Sequence, residues 1–247
     1  MNKLLYIANW KMNKNFEESE FFLDKFLSND NIENNIEVVI CPSFLTLAKL
    51  DTISRYKDAS QLSFGAQNVS DQLYGAFTGD ISVEMLKDVK PSYCIVGHSE
   101  RRQLYNESNS QVNKKIKLLI EFGITPILCV GESLVQRENN EGELLILNQL
   151  SACLKNIDTN LIIIAYEPVW AIGSGQSATV DDISEMNSTI KKQMNKLGYK
   201  DDQFYILYGG SVNIDNVKVL KTSKSINGFL IGGASLDADN FLELIKR

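Results

Sequence analysis

The sequence predicts an α/β fold of a single domain, a closed (β/α)8 barrel, and three observations carry that prediction. Short apolar runs alternate with amphipathic stretches of helical period along the 247 residues. The runs are almost continuously apolar, as parallel strands must be when helices cover both faces of their sheet. Polar or glycine-rich groups follow several of the runs, at the rim where barrels of this class build their sites.

The runs lie at 4–8, 38–41, 62–66, 93–96, 125–130, 161–166, 204–208 and 229–231, giving eight candidate strands. Their starts fall roughly 24 to 43 residues apart, as repeated strand–helix units require. Between the first two runs, Phe22, Leu23, Phe26 and Leu27 form an apolar stripe. Val112, Ile116, Leu119 and Ile120 form another after the fourth run. Ile183, Met186, Ile190, Met194 and Leu197 fall on one helical face after the sixth, with Asp182, Glu185, Lys191 and Lys192 mostly off it. Asp237 stands where a cap for the last helix belongs. No Pro/Gly/Ser-rich linker, low-complexity tract or repeat divides the chain, so 1–247 reads as one domain. An open doubly wound sheet is the competing architecture. Eight strand–helix alternations in this length favour closure.

Composition narrows the function. Apolar residues make up 44%, enough for a sizeable core. A net charge of −6 gives no broad electrostatic reason to bind nucleic acid or an anionic membrane. The first residues lack the apolar run of a secretory signal. The longest strongly apolar stretch, 161–165, is far too short to span a bilayer. Cys41, Cys94, Cys129 and Cys153 show no C-x-x-C spacing, and there is one histidine, so no metal site is expected. A cytoplasmic protein with reduced, buried thiols is expected.

Five groups fall just past predicted strand ends: Asn9-Trp10-Lys11, Gly97-His98-Ser99-Glu100, Glu167-Pro168, Gly209-Gly210-Ser211 and Gly232-Gly233. Parallel strands in a barrel share one C-terminal rim, so all five converge there. A lone Glu167 could be a solvated strand end or part of an ion pair. Pro168 after it and Gly173-Ser174-Gly175 beyond suggest a lid beside a base, and exclusion of water would raise the basicity of such a carboxylate. A lone histidine is more often structural than catalytic, but His98 follows a strand and precedes a helix start. The partial positive charge of that start disfavours imidazolium. The ring is therefore expected to stay neutral from about pH 5 to 8. Lys11 would supply positive charge for an anionic substrate. The two glycine pairs, after strands seven and eight, sit where such barrels often bind phosphate through backbone amides. The stretch 173–178 formally fits G-x-G-x-x-[GA], but no strand precedes it directly, so a nucleotide site there is rejected.

Taken together, the segments 8–13, 97–102, 165–173, 208–212 and 232–236 resemble the signature segments of the triosephosphate isomerase family, in its order and spacing. The resemblance runs along essentially the whole chain and implies a TIM barrel that interconverts dihydroxyacetone phosphate and glyceraldehyde 3-phosphate without metal or cofactor. It implies Glu167 as general base, His98 as electrophile, Lys11 as a stabiliser of negative charge, Asn9 as an orienting group and Glu100 as the neighbour that places Lys11. It further implies phosphate-binding amides at Gly173, Ser211, Gly232 and Gly233, a lid from Pro168 to Ala178, and an apolar clamp of Ile172 and Leu230 on the base. The segment 71–80, with Thr78 in it, resembles the loop by which the family's subunits interlock as homodimers. Ser174 stands where the family usually has threonine, Gln176 where lysine is common, and Asp80 where glutamate is usual; Tyr105-Asn106 also departs. None removes a catalytic group, and the lid changes bear on closure. Another phosphate-binding barrel enzyme would share the glycines but not the His98 and Glu167 segments together. A barrel kept only as a scaffold would have no need of intact Asn9, Lys11, His98 and Glu167.

Overall fold

A computed structural model describes residues 3–29, 32–50, 52–53, 56, 62–158, 160–172 and 178–247. Its strands are β1 (Leu4–Asn9), β2 (Ile36–Cys41), β3 (Leu62–Ala66), β4 (Tyr93–Val96), β5 (Thr125–Val130), β6 (Ile162–Tyr166), β7 (Phe204–Tyr208) and β8 (Gly228–Ile231). Each is parallel to its neighbours, and β8 pairs with β1, so the sheet closes in sequence order. All eight predicted runs are strands, with bounds shifted by two residues at most.

Alternation along each strand explains why the runs had to be apolar throughout. One set of side chains, including Leu5, Ile7, Val39, Ile95, Ile127, Ile163, Ala165, Leu207 and Leu230, packs together inside the barrel. The alternate set, including Tyr6, Ala8, Val38, Ile40, Leu128, Ile164, Tyr208 and Phe229, packs outward against the helices.

Most of the described helices are capped at their starts by polar side chains. In α1 (Phe16–Leu27), Asn15 and Glu18 form a reciprocal capping box, and Phe22, Leu23 and Phe26 are buried. The connections after β2 and β3 carry α2 (Phe44–Leu50) and α3 (Val83–Val89). After β4 come α4 (Ser99–Leu104) and α5 (Asn109–Glu121), the latter capped by Ser108 and buried through Val112, Ile116 and Leu119. After β5 come α6 (Leu134–Glu138) and α7 (Gly142–Cys153). In α8 (Val180–Lys196) the buried face runs through Ile183, Asn187, Ile190 and Met194. The predicted stripe is therefore rotated slightly: Met186 and Leu197 are only partly buried, and Asn187 takes the core position because its amide donates to the Ser225 carbonyl. The chain ends with α9 (Val217–Leu220) and α10 (Ala238–Lys246), and Asp237 caps α10 as expected.

Closure depends on one close approach. Leu5 donates its amide to the Asn227 carbonyl at 2.9 Å. The next residue, Gly228, has φ of 148°, and a Cβ there would stand 1.9 Å from the Leu5 carbonyl oxygen. Gly228→Ala must therefore push β8 off β1. The expected loss is on the order of 3 kcal/mol or more, from strain and disrupted packing together. Denaturant unfolding measures it, and a loss below about 1 kcal/mol would show that the seam tolerates a side chain.

Candidate active site

The strand ends bring most of the predicted residues to one cavity of about 350 Å³ at the C-terminal rim. Asn9, Lys11, His98, Glu167, Ile172, Ser211, Leu230, Gly232 and Gly233 all line it, with Gly209, Gly210, Val212, Asn213 and Ala234. Glu100 reaches the cavity through Lys11, whose Nζ lies 2.6 Å from its Oε1. Thr78 is exposed in the loop after β3 and is not among the lining residues. Gly173, with Ser174, Gly175 and Gln176 of the expected lid, lies outside the described residues.

Lys11 is held in a backbone conformation that side chains disfavour, with φ of 51°. Such a residue costs about 1–3 kcal/mol and persists only where its surroundings fix it. Two side chains do so. Asn9 Oδ1 accepts the Lys11 amide at 3.1 Å, and Gln67 Nε2 donates to the Lys11 carbonyl at 2.8 Å and to the Cys41 carbonyl at 2.9 Å. Gln67 was missed in the sequence, although it directly follows β3 and obeys the same strand-end rule as the others.

Glu167 is only 2% exposed and His98 6%. His98 Nε2 lies 3.1 Å from Glu167 Oε1, and the Ser99 amide donates to Oε2 at 3.1 Å. At the opposite ring nitrogen the Glu100 amide donates to Nδ1 at 3.2 Å. That bond leaves Nδ1 without a proton and places the ring proton on Nε2.

The electrostatics correct the expectation of a neutral His98 and add to that for Glu167 a partner that offsets burial. Burial alone would raise the Glu167 pKa, but the His98 ring, its hydrogen bond and the Ser99 amide outweigh burial and hold it below the ordinary carboxylate value. Burial likewise disfavours imidazolium at His98, yet the facing Glu167 carboxylate outweighs it and moves that pKa above the ordinary value. The helix start acts on Nδ1 as foreseen; what the sequence did not place was a carboxylate against Nε2.

An array of backbone donors forms the far wall. The amides of Val212, Gly232 and Gly233 have no hydrogen-bond acceptor among the described residues. Such unpaired amides around a concavity suit an anion. Ser211 differs: its amide and hydroxyl both donate to the Ala171 carbonyl, at the near end of the expected lid. At the far end the buried Ala178 donates its amide to the Tyr208 hydroxyl at 3.4 Å. Pro168 is buried at the start of the same segment, where Glu132 accepts from Trp170 Nε1 at 2.9 Å and from the Tyr166 hydroxyl at 3.0 Å. Ile172 and Leu230 stand in the cavity wall with Glu167.

Two further groups went unread in the sequence. Glu132 follows β5 by two residues, so the strand-end rule could have found it. Glu107 could not have been found that way. It accepts the Gly97 amide at 3.1 Å and Arg101 Nε at 3.2 Å, and pairs with Lys115, which is buried on α5. Nothing in the sequence marks a carboxylate in a helix–helix connection as the anchor of the loop that carries His98.

The chain matches a family model described as "Triosephosphate isomerase" over residues 4–247. It is 43% identical to the triosephosphate isomerase of Mycoplasmopsis pulmonis, covering 99% of this chain and 98% of that one. It is also 43% identical to that of Endomicrobium trichonymphae, covering 100% and 99%. The Aquifex aeolicus protein of the same description is 42% identical, covering 98% of each.

The coupling between the ring and the carboxylate can be measured directly, because His98 is the chain's one histidine. Glu167→Gln removes the group that favours imidazolium and leaves the burial that opposes it. The His98 titration midpoint, followed by ¹⁵N resonances of the ring, should therefore fall relative to the wild type. A midpoint that stays or rises would mean that Glu167 is not the source of the upward shift.

Proposed function

This chain belongs to the triosephosphate isomerase family, and from that premise we propose how its own residues interconvert dihydroxyacetone phosphate and glyceraldehyde 3-phosphate. The observation that carries the reading is the convergence of Glu167, His98 and Lys11 on one cavity walled by unpaired amides. Glu167 removes a proton from the carbon beside the carbonyl, and the electron pair moves onto the carbonyl oxygen to give an enediolate. His98, through Nε2–H, and Lys11, through Nζ, donate to the oxygens where that charge develops. Donors fixed in advance stabilise it without reorganisation. A proton then passes from the hydroxyl oxygen to the former carbonyl oxygen, both faced by His98 Nε2, and Glu167 returns its proton to the neighbouring carbon as the first oxygen becomes the new carbonyl. Asn9 orients the substrate and Glu100 holds Lys11. No step uses a metal or an organic cofactor.

His98 Nε2 and Glu167 Oε1 touch each other, so a substrate that engages both must part them. Once parted, Glu167 loses the partner that depresses its pKa, while its burial remains. The base therefore becomes stronger when substrate is present to be deprotonated. His98 loses the facing carboxylate at the same moment and returns toward the neutral ring that a donor to a weakly basic oxygen should be. The phosphate is read as sitting on the amides of Gly232 and Gly233, joined by Ser211 and Gly173 when the segment 168–178 closes. Ser211 must then exchange the Ala171 carbonyl for the substrate. Ile172 and Leu230 keep water from the base.

We read the chain as one catalytic domain that works as a homodimer. Support comes from the apolar side chains left exposed on the segments that follow β1 to β4, four adjacent strands: Met12 is 98% exposed, Leu45 87% and Tyr74 86%, and Phe77, Leu104 and Tyr105 are exposed as well. Large apolar side chains left exposed on one side of the barrel suit an interface. The segment 71–80 would enter the partner. No helix among the described residues is long and apolar enough to cross a membrane. A cytoplasmic site of action accords with that and with the buried free thiols.

A coupled assay that supplies glyceraldehyde 3-phosphate and follows reduction of the dihydroxyacetone phosphate formed tests the activity. Glu167→Gln should lower kcat by at least about 10²- to 10⁴-fold with the fold intact; near-normal turnover in folded, contamination-free enzyme would end the assignment of the base. Deleting the tip of the 71–80 loop should yield monomers of much lower activity. Sedimentation showing a stable wild-type monomer at micromolar concentration would refute the dimer.

A further inference from the structure

The amide wall is made of two loops, after β7 and after β8, and each accepts a side-chain hydrogen bond from an asparagine further along the chain, Asn216 just before α9 and Asn240 within α10. Asn216 directly precedes α9, a capping position, yet its side chain makes no cap bond. It turns back instead. Nδ2 donates to the Ser211 carbonyl at 2.9 Å, and Oδ1 accepts the Asn213 amide at 2.8 Å. Asn213 supplies what the helix start needs: its Oδ1 accepts the amides of Asp215 and Asn216, each at 3.0 Å. On the second loop Asn240 is likewise not the cap of α10, which is Asp237. Its Nδ2 donates to the Ala234 carbonyl at 2.5 Å.

The Ser211 carbonyl and the Val212 N–H belong to one peptide unit. In a planar trans peptide these two groups point in opposite directions. A donor that holds the carbonyl from behind therefore aims the N–H forward. Val212 lines the cavity, and its N–H has no acceptor among the described residues. We infer that Asn216 is a positioning residue for the anionic end of the substrate, acting by holding the Ser211 carbonyl so that the Val212 amide faces the bound phosphate. The identity of the anion as a phosphate rests on the isomerase reading; the hydrogen-bond geometry does not.

Inorganic phosphate is the probe, titrated into the full chain by calorimetry. Asn216→Ala should weaken its binding about tenfold, the effect of losing one to two hydrogen bonds of ordinary strength. The ratio of kcat/KM on triose phosphate to that on unphosphorylated glyceraldehyde should fall by a similar factor. General loosening of the rim would lower both activities together and leave that ratio alone. Asn216→Ser, which keeps a small polar side chain at the helix start, gives the same readout should the alanine variant not fold. Phosphate affinity within twofold of the wild type, or an equal fall on both substrates, overturns the inference. Wild-type protein that binds phosphate but does not isomerise would end the isomerase reading and leave the calorimetric comparison decisive for Asn216.

Discussion

Parallel strands can close into a barrel only if the last comes within hydrogen-bonding reach of the first, and here that contact is backbone against backbone, Leu5 against Asn227 and Gly228. The rim inherits its geometry from this seam. With β8 beside β1, the glycine loop of Gly232 meets the lysine that follows β1: a Cβ on Gly232 would lie 3.5 Å from Lys11 Cε and 3.8 Å from Nζ. A cation from the first unit and amides from the last thus face one cavity.

Charge at the rim is arranged as a line of alternating partners. Lys11 pairs with Glu100, the Glu100 amide holds one nitrogen of His98, and the other nitrogen holds Glu167. A carboxylate as buried as Glu167 would be costly if left alone. Its partners make it affordable in the resting chain, and those same partners keep it a weak base. The rim is therefore chemically quiet until the line is opened between ring and carboxylate.

Much of this was legible because burial leaves a strong imprint. Strands covered on both faces had to be apolar throughout, and so β1 to β8 stood out; helix starts had to be capped, and so Asp237 did. Lys11, His98 and Glu167 were found because a barrel converts the sequence order of strand ends into spatial proximity. What stayed hidden was side-chain direction. No feature of the sequence shows Glu167 leaning on His98, and that contact is what turns the His98 shift upward and offsets the effect of burial on Glu167. Nor could it show Glu107 reaching back to Gly97, Gln67 reaching across to Lys11, or Asn187 displacing a methionine from the core face. Each depends on a long-range hydrogen bond, and such bonds leave no periodicity.

The four cysteines have a consequence outside catalysis. All are buried and unpaired. Burial pushes the thiols of Cys41, Cys94, Cys129 and Cys153 above their ordinary pKa, so none presents a thiolate to solvent while the fold is intact. A thiol reagent can reach them only when the surrounding structure opens. Cys41 ends the second strand, Cys94 and Cys129 lie within the fourth and fifth, and Cys153 ends α7. They therefore sample distinct sectors of the wall. The pace of alkylation at each becomes a clock for how often that sector breathes, written into the chain without any label having to be introduced.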